Sequence, residues 1–432
     1  MSIKLREILR IFFLTSSISF FLQSLSAQDL NQLVRGKIFD EINAKPLQDA
    51  VIYMKENNSR EEYGIGIKCD EAGNFRSEFT PIGRYRLEIK ANGYENYIIP
   101  DLLVEAGKEV ILEIGLSIKS YDTGEVEISS YNSRKQKIEG VSTRVFTVEE
   151  SQRFAATYYD PARLAANYPG VAVTGDESNN LIIRGNSPNG VLWRLEGVDI
   201  VNPNHLTNAG TFTDRLTQSG GGTIILSNQL LSDSRIQTGA FDPQYGNALA
   251  GVFDMRLRKG NNEKHEFIFQ PSLIGLDLAA EGPMGKNGAS YLVNYRYSTI
   301  GFFDLIGLEI TPESITYQDL AFNLYLPTEK AGTFTLFGMG GLSSNRFDAP
   351  REDSLIEENR DRFDVDFSSN MGAIGMTHQL NIGEKTFWKS VLAASAIKST
   401  REEGFVRTFT QSDPSSFDEI KQEKLSFTSN LS

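Results

Sequence analysis

The sequence predicts a mainly β chain, and three observations carry that prediction. Its 432 residues hold 37 glycines and 10% aromatics, a composition suited to strands joined by tight turns. Short apolar runs bounded by Gly, Pro and Asn turns recur through the first 260 residues. After His265, about eight segments alternate apolar and polar residues and end in aromatics, the pattern of strands that cross a membrane in a barrel. The expected architecture is an N-terminal β-sandwich, an α+β domain, and the first part of a transmembrane antiparallel β-barrel.

Bulk properties exclude several classes. The formal charge of −13 argues against a nucleic-acid binder, which would show a basic patch. A single cysteine, Cys69, permits neither an intramolecular disulfide nor a four-cysteine zinc site, and reads as a small buried apolar residue. His205, His265 and His378 lie far apart with no metalloprotease or nucleophile-His-Asp spacing, so neither haem nor metal nor other cofactor is indicated. No catalytic constellation is visible, and an enzyme is not expected.

Residues 1–27 read as a secretory signal peptide. Lys4, Arg6 and Arg10 precede the apolar run Ile11 to Leu22, and the small residues Ser24, Ser26 and Ala27 follow. The run is shorter than the ~20 apolar residues of a spanning helix, which disfavours a membrane anchor. The mature chain is expected outside the inner membrane.

Residues 28–117 form the expected β-sandwich. Leu33 to Asp40, Ala50 to Met54, Arg84 to Ile89 and Glu109 to Ile114 are the strand candidates, with a turn from Asp70 to Phe75. Gly36, that Asp-x-x-Gly-x-Phe turn, and Gly83-Arg84-Tyr85 resemble the carboxypeptidase regulatory-like domain. No zinc ligands are spaced for a peptidase, so the resemblance implies an accessory module. Residues 118–139 are a polar linker carrying one β-prone stretch, Glu125-Val126-Glu127-Ile128. Such a stretch is suited to adding itself to a partner's sheet edge, or it is a tether or an extra strand.

Residues 140–260 hold the stretch around which the chain is organised. Val141 to Val148 is a strand candidate. Thr147 with Glu150, and Asp160 with Pro161, are helix-start signals. Leu181-Ile182-Ile183 leads into Arg184-Gly185, Val191 to Leu195 into Glu196-Gly197, and Tyr245-Gly246 precedes Gly251 to Met255. Arg184 and Glu196 are placed to pair with each other or with a surrounding wall, or to remain solvated. Asn202, Asn204 and His205, with the Gly-rich run from Ser219 to Thr223, read as solvated loops, and those three residues are the candidate ligand-facing positions. This order of elements resembles the plug domain of TonB-dependent outer-membrane receptors, whose hairpin acid is usually Asp where Glu196 stands here. The plug positions implied are Arg184, Gly185, Glu196, Gly197, Tyr245, Gly246 and Gly251.

Residues 261–432 supply the barrel segments, with strand candidates beginning at Phe267, Ile274, Tyr291, Leu320, Thr333, Gly372, Phe387 and Leu425. Plugged barrels have about 22 strands, so the sequence is expected to be a fragment or an interrupted product. The resemblance implies energy-coupled uptake of an extracellular substrate through a plugged barrel in the outer membrane, with residues 125–128 as a TonB box and TonB and lipid as partners. The alternatives are a non-transporting outer-membrane receptor and a periplasmic binding or scaffold protein.

Overall fold

The computed structural model describes residues 31–41, 43–58, 64–119, 142–146, 157, 160–175, 178–209, 215–232, 234–241, 243–272, 275–299, 313–350, 356, 359–383, 386–408 and 411–431. The signal-peptide segment, the candidate box at 125–128 and the Thr147–Glu150 helix start lie outside these residues. The chain divides into two compact units, Met1–Ser129 and Ser130–Ser432.

The first unit is a two-sheet sandwich. Strands β1 (Asn31–Asp40), β4 (Asn74–Pro81) and β7 (Val110–Leu116) form one sheet in the order β4-β1-β7, with β1 and β7 parallel. Strands β2 (Val51–Glu56), β3 (Ile65–Lys68), β5 (Gly83–Lys90) and β6 (Tyr97–Val104) form the other in the order β3-β2-β5-β6. Inward residues alternate along β2 and β5, and Val34, Ile38, Ile52, Leu87, Ile89 and Leu116 form the core between the sheets. The Asp70 turn works as its sequence suggests. Its Oδ1 accepts from the backbone N–H of Ala72 (2.9 Å) and Asn74 (2.7 Å), and Gly73 supplies a φ of 75°. Cys69 is buried beside this core, and burial pushes its thiol up to about 11, so it packs as an inert apolar residue.

In the second unit a five-stranded sheet of order β12-β11-β16-β15-β8 forms the heart of a small domain. Its strands are β8 (Thr143–Phe146), β11 (Val191–Leu195), β12 (Val198–Asp199), β15 (Ser234–Gln237) and β16 (Gly251–Met255). Strands β11 and β16 run parallel in register from Val191–Gly251 to Leu195–Met255. Both are buried along their whole length, as expected for central strands covered on both faces. One short helix, α1 (Pro161–Ala165), begins at Asp160 with Pro at its first position. Strand β10 (Leu181–Ile183) pairs with β9 (Val171–Val173) in a separate two-stranded sheet, and β13 (Asn204–His205) pairs with β14 (Thr223–Ile224) in another.

The remainder is one antiparallel sheet of eight strands in chain order, β17 (Glu266–Pro271), β18 (Leu276–Pro283), β19 (Ser290–Tyr297), β20 (Glu313–Pro327), β21 (Thr333–Phe347), β22 (Phe363–Ile382), β23 (Thr386–Thr408) and β24 (Gln411–Leu431). All eight segments anticipated from the alternation are strands. They run longer than the alternation shows, because pairing continues through charged sequence such as Asp364 to Asn370 and Lys398 to Glu403. Backbone hydrogen bonds do not require an apolar face, so the ladder persists where the apolar pattern stops.

The two faces of this sheet are chemically distinct. On β22, Phe367, Met371 and Ala373 are buried while Ile374 and Met376 are exposed, and the neighbouring strands keep the same parity. The exposed face carries Leu278, Leu320, Leu342, Ile374, Met376, Leu392, Leu425 and Phe427, and Leu425 is 79% exposed. The buried face packs on the small domain. Phe337, Met339, Met371, Val391 and Ile397 of the sheet share one apolar cluster with Ile200, Val201, Ile224, Ile225 and Leu226.

Candidate functional site: the seam between the small domain and the sheet

The turn motifs of the small domain are set by backbone geometry. Glu196 and Gly197 have φ of 56° and 92° and link Leu195 to its partner Val198. Positive φ at both central residues is the type I′ hairpin, which normally selects Asn-Gly or Asp-Gly. Arg184 and Gly185, at 50° and 78°, close β10 in the same way. Gly251 has a different reason. A Cβ there would collide with the Ile183 side chain and lie 3.0 Å from the Gln237 carbonyl, so glycine lets β10 lie against β16. Gly251→Ala is therefore expected to destabilise the unit by about 1–3 kcal/mol through overpacking, read as a lower midpoint in denaturant. Tyr245 is buried with Leu192 and Val252, and the Arg194 guanidinium stands 4.7 Å from its ring centre. Gly246 faces open space, with no atom within 4 Å of where a Cβ would stand.

Arg184 and Glu196 do not pair. Strand β10 belongs to a different sheet from β11, so the two turns are not neighbours. Arg184 donates to Ser142 Oγ. Glu196 instead meets the wall: its Oε1 accepts from the Leu257 N–H (2.7 Å), and its Oε2 lies 3.9 Å from Lys389 Nζ of β23.

The loops expected to be solvated and ligand-facing are interior. Asn202, Asn204 and His205 are buried, as are Ser219 and Thr223. They are held by pairing with one another and with the sheet, which satisfies groups that water would otherwise serve. Asn202 Oδ1 accepts from the N–H and side-chain amide of Asn204 (3.2 and 2.8 Å), and Asn202 Nδ2 donates to the Gly220 carbonyl (2.7 Å). Trp193 Nε1 donates to the Ser219 carbonyl and hydroxyl, both at 2.9 Å.

Several residues build the seam in ways that no motif marks. Asp160 is fully buried and does more than cap α1. Its Oδ1 accepts from Ala162 N (2.8 Å) and Arg163 N (3.3 Å), while its Oδ2 accepts from Asn179 Nδ2 (2.8 Å), Thr223 Oγ1 (2.8 Å) and Ile224 N (2.9 Å). On the wall, Asp319 Oδ2 accepts from Arg296 Nε (2.9 Å) and Nη2 (2.8 Å) and lies 3.0 Å from His205 Nε2. Arg296 also donates to the Ile224 carbonyl. Nearer β17, Arg258 makes a bidentate pair with Glu281 (2.6 and 2.8 Å), and Ser227 Oγ donates to Asp277 Oδ2 at 2.5 Å. Toward β24, hydroxyls on the inward face meet loop backbone: Ser395 accepts from Val201 N (3.1 Å), Ser343 from Leu206 N (3.2 Å), and Ser426 donates to the Asp199 carbonyl (2.7 Å). The signal for the wall members was present in the alternation, since Asp277, Glu281, Arg296 and Asp319 all occupy its inward parity.

The seam is thus both apolar and charged, and the ion pair at its centre is buried. The Arg296 and Asp319 side chains are 3% and 0% exposed, so their pair is withdrawn from bulk solvent. Among the described residues no group of three or more His, Cys, Asp or Glu is placed to hold a metal ion.

Residues 33–117, the span of the sandwich, match the sequence model of the carboxypeptidase regulatory-like domain family. No curated protein matches the chain. Among solved structures it is similar to the siderophore receptor PirA from Acinetobacter baumannii, at 17% identity and a TM-score of 0.43, covering 67% of this chain and 44% of that one. It is also similar to the ferric enterobactin receptor PfeA from Pseudomonas aeruginosa, at 16% identity and a TM-score of 0.44, covering 66% and 46%. The outer membrane transporter YddB from Escherichia coli gives 9% identity and a TM-score of 0.37, covering 67% and 54%. The chain spans less than half the length of the first two.

Proposed function

We propose that residues 140–432 are the plug and a run of barrel strands of a TonB-dependent outer-membrane receptor that takes up an extracellular substrate. One observation carries this reading: the large sheet turns an apolar band outward and seals its other face with a folded domain. A soluble sandwich would present polar residues on the face it leaves outward, whereas here the outward face is apolar as well. On β22 the outward apolar stretch runs from Gly372 to Ile382, the span of about 9–11 residues a tilted strand needs to cross hydrocarbon. Beyond it the same face turns polar, at Asn370, Ser368 and Asp366. Phe334, His378 and Trp388 cluster at the short-turn end, with centroids 4.4 and 5.8 Å apart, as an interfacial aromatic belt would.

In this reading β17 and β24, the sheet's two edges, meet further strands, because an open edge is untenable in lipid. Residues 1–27 direct export. Glu125 to Ile128 pair with TonB by strand addition, and force on that linker reaches the plug first at β8, the edge of the small sheet. The sandwich serves as a non-catalytic accessory module in the periplasm.

Arginine scanning by depth tests the reading. Met376→Arg and Leu392→Arg, mid-band and directly paired, are expected to cost about 2–4 kcal/mol when the full chain folds into phospholipid vesicles. Asn370→Arg and Ser344→Arg, beyond the band on the same face, are expected to cost about 0–1 kcal/mol. Equal costs at both depths would rule out a membrane-embedded wall.

A further inference from the structure

We propose that His205 is the positioning residue that registers the small domain on the sheet, and that it acts as a latch which holds while the imidazole is neutral and loosens when it is protonated. The inference concerns the seam itself and goes beyond the transport reading.

The geometry is that of a key in a keyhole. His205 is 1% exposed, and its ring projects from β13 onto β21 at Gly341. A Cβ at Gly341 would lie 2.5 Å from His205 Cε1, so only glycine admits the ring there. Tyr317 stacks beside it with centroids 4.9 Å apart, and Asp319 meets Nε2 at 3.0 Å. The next residue, Leu206, has a φ of 51°, a left-handed conformation that leucine rarely adopts. Such a corner persists only where its surroundings fix it, and here the Ser343 hydroxyl takes the Leu206 N–H.

The groups facing the ring determine its protonation. Strand β19 contributes Arg296, β20 contributes Asp319 and Tyr317, the α1 cap contributes Asp160, and β21 presents only Gly341 and Ser343. Asp319 is an acceptor, so Nε2 carries the proton and Nδ1 the lone pair. Among the described residues Nδ1 has no partner. A second proton would sit on Nδ1 in a closed site without an acceptor. Burial pushes the imidazole below its ordinary value and Arg296 adds to that, against the upward pull of Asp319 and Asp160. Once released, the imidazole titrates near 6.5. The latch therefore contributes its full stability above about pH 6.5 and loses it as the pH falls toward the lower value of the latched state.

Hydrogen exchange on the full chain in detergent micelles tests this, following amides 204–208 and 222–226 at pH 7.5 and 5.5 after correction for intrinsic rates. Opening in the wild type is expected to be more frequent at pH 5.5, by up to about tenfold one unit below the free imidazole. His205→Gln, which can still donate to Asp319 but does not titrate, should open equally at both pH values, while residues 276–283 of β18 remain protected. Gly341→Ala should displace the ring and also remove the pH step. A wild-type seam that opens equally at both pH values overturns the proposal, and so does a pH step that survives in His205→Gln or Gly341→Ala. Failure of the arginine scan would leave this result standing, since the exchange measurement does not involve the membrane.

Discussion

Asp160→Ala is expected to lower the stability of the second unit by about 4 kcal/mol. The helix cap accounts for roughly 1 kcal/mol of this, since Oδ1 serves the first N–H groups of α1. The remainder comes from Asn179, Thr223 and Ile224, whose donors would be left in a buried site without an acceptor at about 1 kcal/mol each or more. Asp160→Asn separates the two contributions. Its carbonyl oxygen can still cap α1, but its NH2 group would face three donors, so about 1 kcal/mol should return and no more. Equilibrium unfolding in guanidinium, followed by the fluorescence of Trp193 and Trp388, measures both variants. A loss below about 1 kcal/mol for Asp160→Ala would mean that water enters the site and serves the donors. Asp160 joins α1, the Asn179 loop and β14, and β14 is the partner of the strand that carries His205. Loss of the carboxylate should therefore loosen the seam as well as the helix.

What could be read from the sequence follows the range of the interactions. The eight strands of the large sheet were legible because outward and inward residues alternate over each segment, a signal held within one strand. The Asp70 turn, the Asp160–Pro161 helix start and the Glu196–Gly197 hairpin were legible because each depends on the φ preferences or side-chain reach of two or three adjacent residues. What failed was non-local. Leu181 to Ile183 looks like a neighbour of Val191 to Leu195, but its partner is β9, and nothing local encodes that choice. Asn202, Asn204 and His205 have loop composition and were expected to be wet. Their burial depends on Gly220 to Gly222 and on the inward hydroxyls of β21 and β23, as many as 194 residues away. The strand extensions beyond the apolar band were missed for a related reason. There the outward face meets water, and the alternation that reveals a strand disappears while the hydrogen-bond ladder continues.

Arg296→Met is expected to destabilise the seam by about 3–5 kcal/mol, because it strands the Asp319 carboxylate in a dry site with only His205 beside it. Asp319→Leu alone should cost a similar amount, leaving the guanidinium with the Ile224 carbonyl and the Tyr317 ring. The double replacement, Arg296→Met with Asp319→Leu, should recover part of the loss, because no uncompensated charge remains, while the His205 Nε2–H and the Ile224 carbonyl lose their partners at about 1–3 kcal/mol each. The quantity to measure is the coupling energy of this double-mutant cycle in guanidinium unfolding. A large coupling means that the pair's energetics are those of a water-excluded site. Additive losses would mean that water reaches Arg296 and Asp319 and screens them, as for an exposed ion pair. The outcome bears on the uptake proposed above. A screened seam would let the small domain slide along the sheet at little cost. A dry one, with apolar contacts on Phe337, Met339 and Met371 and ionic contacts on Arg296, Asp319, Arg258 and Glu281, resists gradual movement. Under the proposed function, opening a path would require breaking a set of buried contacts together, with work delivered to the small domain from outside it.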